Sequence, residues 1–222
     1  MGSTTFHSAE KDMDIIDNYD KLRLGQYMEI QAVSKEEGLE EIDRQVQILA
    51  ILTGQDAEEI LHLPIGEYKD LVAKASFLSA PEMTYHPVAK KYLVGEFQLM
   101  PVRDFRKLET CQYVDFQTYA PDLEKNLVEF LSVILVPKGH RYNEGYDVMD
   151  VQKALREDMS VADGISIAGF FLSWCRKSIL NSLAFSKQEA MKIPDRERRE
   201  KILGEIRHQE EILQPSGDGS QT

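Results

Sequence analysis

Apolar residues recur along most of this chain at intervals of three and four, the spacing that gathers them on one side of an α-helix. From Glu37 to Leu52 that interval is kept by Leu39, Ile42, Val46, Leu49 and the pair Ile51 and Leu52, which predicts a helix with one buried face. Gly54 follows at the position where a helix C-terminus is commonly closed. Shorter helices are predicted over Gly25–Val33 and Asp56–Leu61, the second opened by Asp56 with Glu59 at capping-box spacing. Pro64 suits a helix start, because the amide it lacks would be unpaired there, and that helix is expected to run to about Leu78. Residues 1–20 are polar and end in Asp12, Asp14, Asp17 and Asp20. They are expected to form a loose lead-in with a short strand near Met13–Ile16.

The period shortens to two between Lys91 and Val102. Tyr92 and Val94 alternate before Gly95, and Phe97 and Leu99 after it, the pattern of a β-hairpin, with Pro101 suited to its edge or end. The two prolines within Ser79–Pro87 mark a boundary ahead of it. Beyond the hairpin the helical period returns. Pro121 and Asp122 open a helix through Leu135 in which Leu127, Val128, Phe130, Leu131, Val133 and Ile134 leave almost no polar face; such a helix belongs in a core. A loop, Lys138–Asp147, precedes a helix over Val148–Glu157. Ser160, supported by Asp163, is expected to cap a long helix, and Gly164, Ala168 and Gly169 give that helix a small-residue surface. From Ser186 the character changes again. Arg196–Glu211 is dense in charge with a thin stripe of Ile202, Ile206 and Leu213, and residues 214–222 have the composition of a disordered tail.

A nine-residue phrase recurs within this pattern: Leu22–Ile30, Leu63–Leu71 and Leu108–Phe116 each read Leu, any, Leu/Ile/Thr, Gly/Cys, Gln/Glu, Tyr, any, acid, apolar. Met159–Ile167 is a degraded fourth copy at the place matching Leu63–Leu71. Repeats about 40 residues apart signal a duplicated helical unit. The apolar helix of the second half has its counterpart in Val46–Leu52, with Gln47–Leu52 set against Phe130–Leu135. The tyrosines Tyr27, Tyr68 and Tyr113 are expected to pack their rings while their hydroxyls stay near solvent. The predicted fold is therefore mainly α, with two pseudo-repeated helical halves joined by a small β-hairpin. Residues 1–20 form a flexible acidic segment, 21–80 the first half, 88–185 the hairpin with the second half, and 186–222 a charged helix and tail.

Length and charge narrow the possible partners. The chain has 222 residues with a net charge of −12, enough for one large domain or two small ones. Residues 1–80 carry sixteen acids against seven bases. Such a surface repels nucleic acid and anionic membranes, so neither is expected as a partner. Cys111 and Cys175 lack the spacing of a zinc or redox pair and read as small hydrophobes in a reducing compartment. Residues 1–20 hold no apolar signal core, and the apolar stretch 127–136 is too short to span a bilayer. The expected location is the cytoplasm.

Chemistry is harder to find. There is no phosphate-binding glycine loop, the five histidines are scattered without metal-ligand spacing, and no nucleophile elbow or Cys–His arrangement occurs. The sequence thus predicts no catalytic residue, metal ligand or cofactor. Two segments are candidates for contact with a protein. The loop after the apolar helix brings His140, Arg141, Tyr142 and Tyr146 together between buried helices, and loops on rigid scaffolds are where binding tends to sit; the reading ahead of this one is a loop that packs Tyr142 and Tyr146 onto the helices. The stripe Ile202 and Ile206 can pair with a partner helix or belong to a solvated one.

The order of these features resembles that of the small tail assembly chaperones of tailed bacteriophages. The resemblance is carried by Leu108–Phe116 preceded by the hairpin Tyr92–Val102, by the apolar helix ending Ile134-Leu-Val-Pro137, by the Tyr142 loop and by the helix containing Gly169-Phe-Phe-Leu172. It spans about residues 20–185. It implies a non-catalytic helper that holds a tape-measure or tail-tube protein soluble through protein–protein contacts in the host cytoplasm, with self-association left open. An acidic chain suits that task, since charge repulsion keeps a complex dispersed while apolar surface is shielded. A structural or cargo protein of the virion is one alternative. A small ligand-binding or enzymatic domain is another, and it requires a deep pocket near His140–Tyr146.

Overall fold

A computed structural model describes residues 13–79 and 85–212. The first half comprises α1 (Leu24–Lys35), α2 (Glu41–Thr53), α3 (Ala57–Leu61) and α4 (Ile65–Lys74), which tightens into a 3-10 turn over Ala75–Ser79. Strands β1 (Tyr92–Val94) and β2 (Phe97–Pro101) follow, then α5 (Thr110–Tyr119), α6 (Leu123–Ile134), β3 (Leu135–Pro137), α7 (Val148–Asp158) and α8 (Val161–Ala190). Helix α9 (Arg196–Ile212) turns back along the far end of α8. The chain is mainly helical with one small sheet, as its periodicity predicts.

All four copies of the phrase start a helix in the same way. The second residue (Arg23, Pro64, Glu109 or Ser160) has extended backbone at the N-cap, and the helix begins at the third. The sixth-position amides of Tyr27, Tyr68, Tyr113 and Gly164 then donate to the second-position carbonyls at 2.9–3.0 Å. The duplication extends to how each half closes its central helix. The last carbonyls of a helix have no partner of their own. In the second half Gln112 Nε2 donates to the Val133 carbonyl at 2.5 Å and the Val102 amide to the Ile134 carbonyl at 2.8 Å. In the first half Gln26 Nε2 donates to Ile51 at 3.3 Å and the Ile16 amide to Leu52 at 3.1 Å. Ile51 therefore corresponds to Val133, one residue away from the alignment the sequence suggests. The shifted register also matches buried Val46, Leu49 and Leu52 to buried Val128, Leu131 and Ile134. Apolar runs look alike when slid by one residue; only their partners fix the phase.

Helix α6 lies at the centre, capped by Asp122, whose Oδ1 accepts from the Lys125 amide at 3.3 Å. Phe130 is fully buried, with its ring 5.7 Å from Phe116 of α5 and 6.1 Å from Phe171 of α8. One core runs from Ile15 to Cys175 through both halves, so the halves are not separate domains. A small satellite core holds Leu183, Ala190 and Ile206 between α8 and α9.

Several boundaries differ from the expected ones. The helix expected to include Leu135 ends at Ile134. Pro137 disfavours helical backbone at the residue before it, and β3 instead pairs antiparallel with β2, Leu99 opposite Pro137 and Pro101 opposite Leu135. The expected hairpin, Tyr92 opposite Leu99 and Val94 opposite Phe97, is thereby part of a three-stranded sheet. Residues 13–16 form no strand, and among the described residues their backbone pairing is the Ile16–Leu52 bond. Asp56 stands at an N-cap without a side-chain cap bond, whereas Gly54 (φ 67°) closes α2 in the left-handed conformation, as expected. No boundary falls at Ser186, because α8 continues to Ala190. The expected acidic lead-in over residues 1–12 and the tail over 214–222 lie outside the described residues.

Candidate functional site

The loop 138–147 is held tightly by its own chain. Tyr142 is only 4% exposed and donates its hydroxyl to Asp115 Oδ2 on α5 at 2.8 Å. Burial and the adjacent Asp115 carboxylate push this phenol well above its ordinary pKa. Tyr146 accepts from the Asn143 amide at 3.4 Å and stacks edge-on against His140, ring centres 5.8 Å apart. Gly145 (φ 79°) is required here, since a Cβ would lie 2.6 Å from His140 Nδ1. Arg141 Nε stands 3.9 Å from Glu109 Oε1. The sequence brings four residues to this loop as contacts, and the structure leaves His140 and Arg141 exposed while Tyr142 serves as an internal tether.

The stripe on α9 is likewise consumed. Ile206 is buried against Leu183 and Ala190, and Ile202 packs at the same place. What stays open is α8. Phe170 (50% exposed) and Phe185 (64%) lie with half-buried Trp174 at spacings of four and eleven, along one side of the helix, and Ile179 and Leu180 are exposed on other sides. Periodicity alone could not single these out, because α8 is apolar in too many directions before its packing partners are known.

A polar cleft of about 320 Å³ lies elsewhere, lined by Asp20, Arg23, His86, Asp158, Ser160 and Asp163. His86 sits between two carboxylates, Nε2 3.1 Å from Asp20 Oδ1 and Nδ1 3.1 Å from Asp163 Oδ1. Its amide donates to Ser166 Oγ at 2.8 Å, and Ser160 Oγ accepts from the Asp163 amide at 3.1 Å. Both hydroxyls thus serve backbone amides, and the cluster clasps the segment before β1 onto the start of α8. Sequence reading misses it, because its members are 66 and 77 residues apart. Among the described residues no group of His, Cys, Asp and Glu has an arrangement able to hold a metal ion, and no helix is long and apolar enough to cross a membrane.

The two thiols differ sharply. Cys111 is exposed, while Cys175 is buried and burial pushes its pKa up to about 12. A small disulfide reagent at neutral pH is expected to titrate one thiol per native chain rapidly, and the second only at the rate of unfolding. Two rapid equivalents would contradict the placement of Cys175.

No family model, curated protein or solved structure matches this chain, so its own surfaces are the ground for a functional reading.

Proposed function

We propose that this chain is a non-catalytic assembly chaperone of a tailed bacteriophage, holding a tape-measure or tail-tube protein soluble along its α8 arm. The observation that carries this reading is the exposed pair Phe170 and Phe185, with half-buried Trp174 between them, along one side of α8, whose far end packs on α9 among the described residues. Clustered exposed apolar side chains of this kind mark contact surfaces, and a long helix offers them to the apolar face of a client helix. The net charge of −12 keeps such a complex dispersed. Exposed His140 and Arg141 remain free to add polar contacts to a client; Tyr142 and Ile206 act by holding the loop and the α8–α9 hairpin in place.

The test is recovery of partners with the tagged chain from phage-infected cells, read by mass spectrometry. A long helical protein or a tail-tube subunit is expected, together with absence of the chain from purified particles. Phe170→Glu combined with Phe185→Glu is expected to cut that recovery at least tenfold with helical content unchanged. Recovery of capsid and portal proteins in fixed ratio, with the chain present in particles, would instead identify a virion component. Recovery unaffected by the double substitution would sink the role given to α8.

A further inference from the structure

Between Asp163 and Glu189 the chain holds no acidic residue, although its net charge is −12. The bases Arg176, Lys177 and Lys187 all fall in that interval, which is the body of α8. Arg176 and Lys177 are exposed, and among the described residues neither enters an ion pair. On α9, by contrast, Arg196 is matched by Glu200 at 3.0 Å. The arm is a cationic strip on an anionic molecule.

Lys177 lies within the apolar stripe of α8. Phe170, Trp174, Lys177 and Asn181 follow one another at intervals of four, three and four, with Phe185 a further four on. That is the spacing of a seam along which two helices meet, and a lone lysine in such a seam fixes the register of the partner. The Trp174 ring rests 6.0 Å from that of Phe171, which is buried in the core. From Phe170 to Phe185 the stripe is about 22 Å long.

The place of Lys177 also narrows the occupant. On a helix lying at a membrane surface the bases line the polar face, opposite the apolar one, whereas here a base stands in the middle of the apolar stripe. A second copy is disfavoured as well. Two such arms overlapped so that all four phenylalanines are covered, parallel or antiparallel, bring the two copies of Lys177 together near the middle.

We propose that the face Phe170–Phe185 of α8 takes an amphipathic client helix that carries a carboxylate opposite Lys177 and further acids beside its apolar ridge. This rests on the reading of α8 as the docking arm and adds to it the charge of what docks. The aromatic side chains supply contact area, and the charges choose among clients. A carboxylate answers a cation that the chain itself leaves unmatched, and a basic helix would set like charges together.

Helical peptides of about 18 residues, long enough to span the stripe, test this on the full purified chain. All share a leucine ridge at intervals of four and three and lack tryptophan; they differ in carrying Glu, Gln or Lys beside the ridge and at its middle. Trp174 is the chain's single tryptophan, so its emission shifts to the blue as a helix covers the face. The Glu peptide is expected to bind at least tenfold more tightly than the Lys peptide, with the Gln peptide between them and the gap narrowing as salt rises. Lys177→Glu is expected to abolish or reverse that preference, with circular dichroism showing an intact fold. Phe170→Glu combined with Phe185→Glu is expected to weaken binding of all three. Equal binding of the three peptides, or a preference that Lys177→Glu does not move, would overturn the proposal while leaving α8 as a docking arm. Binding of no peptide would overturn both readings. A shift caused by phosphatidylglycerol vesicles and by no peptide, or self-association that Phe170→Glu abolishes, would give the face to another occupant and overturn it too.

Discussion

Phe130→Ala is expected to lower stability by about 3–5 kcal/mol, the cost of removing a large buried ring and leaving a cavity among side chains that cannot fully collapse. Phe130 is fully buried between Phe116 and Phe171, so a single truncation loosens α5, α6 and α8 together. Most domains hold only about 5–15 kcal/mol in reserve, which makes this a large fraction of the total. In a chain of this size the melting temperature is expected to fall by roughly 10 °C. Denaturant titration checks it: the midpoint should drop while the slope stays the same. A shift under about 1 kcal/mol, the size expected of a surface change, would show that α6 is not the centre of one shared core.

Gln112→Ala is expected to cost about 1–3 kcal/mol, because it strands the buried Val133 carbonyl and removes the acceptor for the Glu109 amide. Gln112 is buried and bonds both groups, at 2.5 and 3.3 Å. Gln26 makes the corresponding bonds to the Ile51 carbonyl and the Arg23 amide at 3.3 and 3.1 Å. It is only half-buried, so water can replace it. Gln26→Ala is accordingly expected to cost less than half as much. The comparison isolates burial from bonding pattern, since the two glutamines occupy the same place in a duplicated unit. Equal losses would mean that solvent access does not distinguish the two halves.

The proposed roles weigh differently on these sites. Phe130 and Gln112 maintain the core from which α8 projects, whereas Phe170, Lys177 and Phe185 stand on the surface. Substitutions at the second group should leave the melting temperature nearly unchanged while altering what the chain binds. Separation of the two classes by a thermal melt is therefore a control for both binding experiments.

The sequence by itself determined most of the helical segments, though not α5, and it showed the repeated phrase whose copies the structure places at helix starts. Helix starts are set by local chemistry: an extended N-cap residue, a glutamine reaching back, a serine oxygen on a nearby amide. It also placed Gly54 at a helix end and the alternation around Gly95 in a hairpin, because these too depend only on residues close in the chain. The tertiary structure decided what faces what. Leu135 leaves its helix because β2 offers a strand partner, and the phase of α2 against α6 is set by distant bonds to Ile51 and Val133. Tyr142 and Ile206 read as available contacts until Asp115, Leu183 and Ala190 are brought against them. Phe170, Phe185 and Ile65 are exposed, which the helical period alone does not tell. Periodicity records that a side chain is apolar and where it points on its own helix; whether it ends buried or exposed depends on which other element reaches that side.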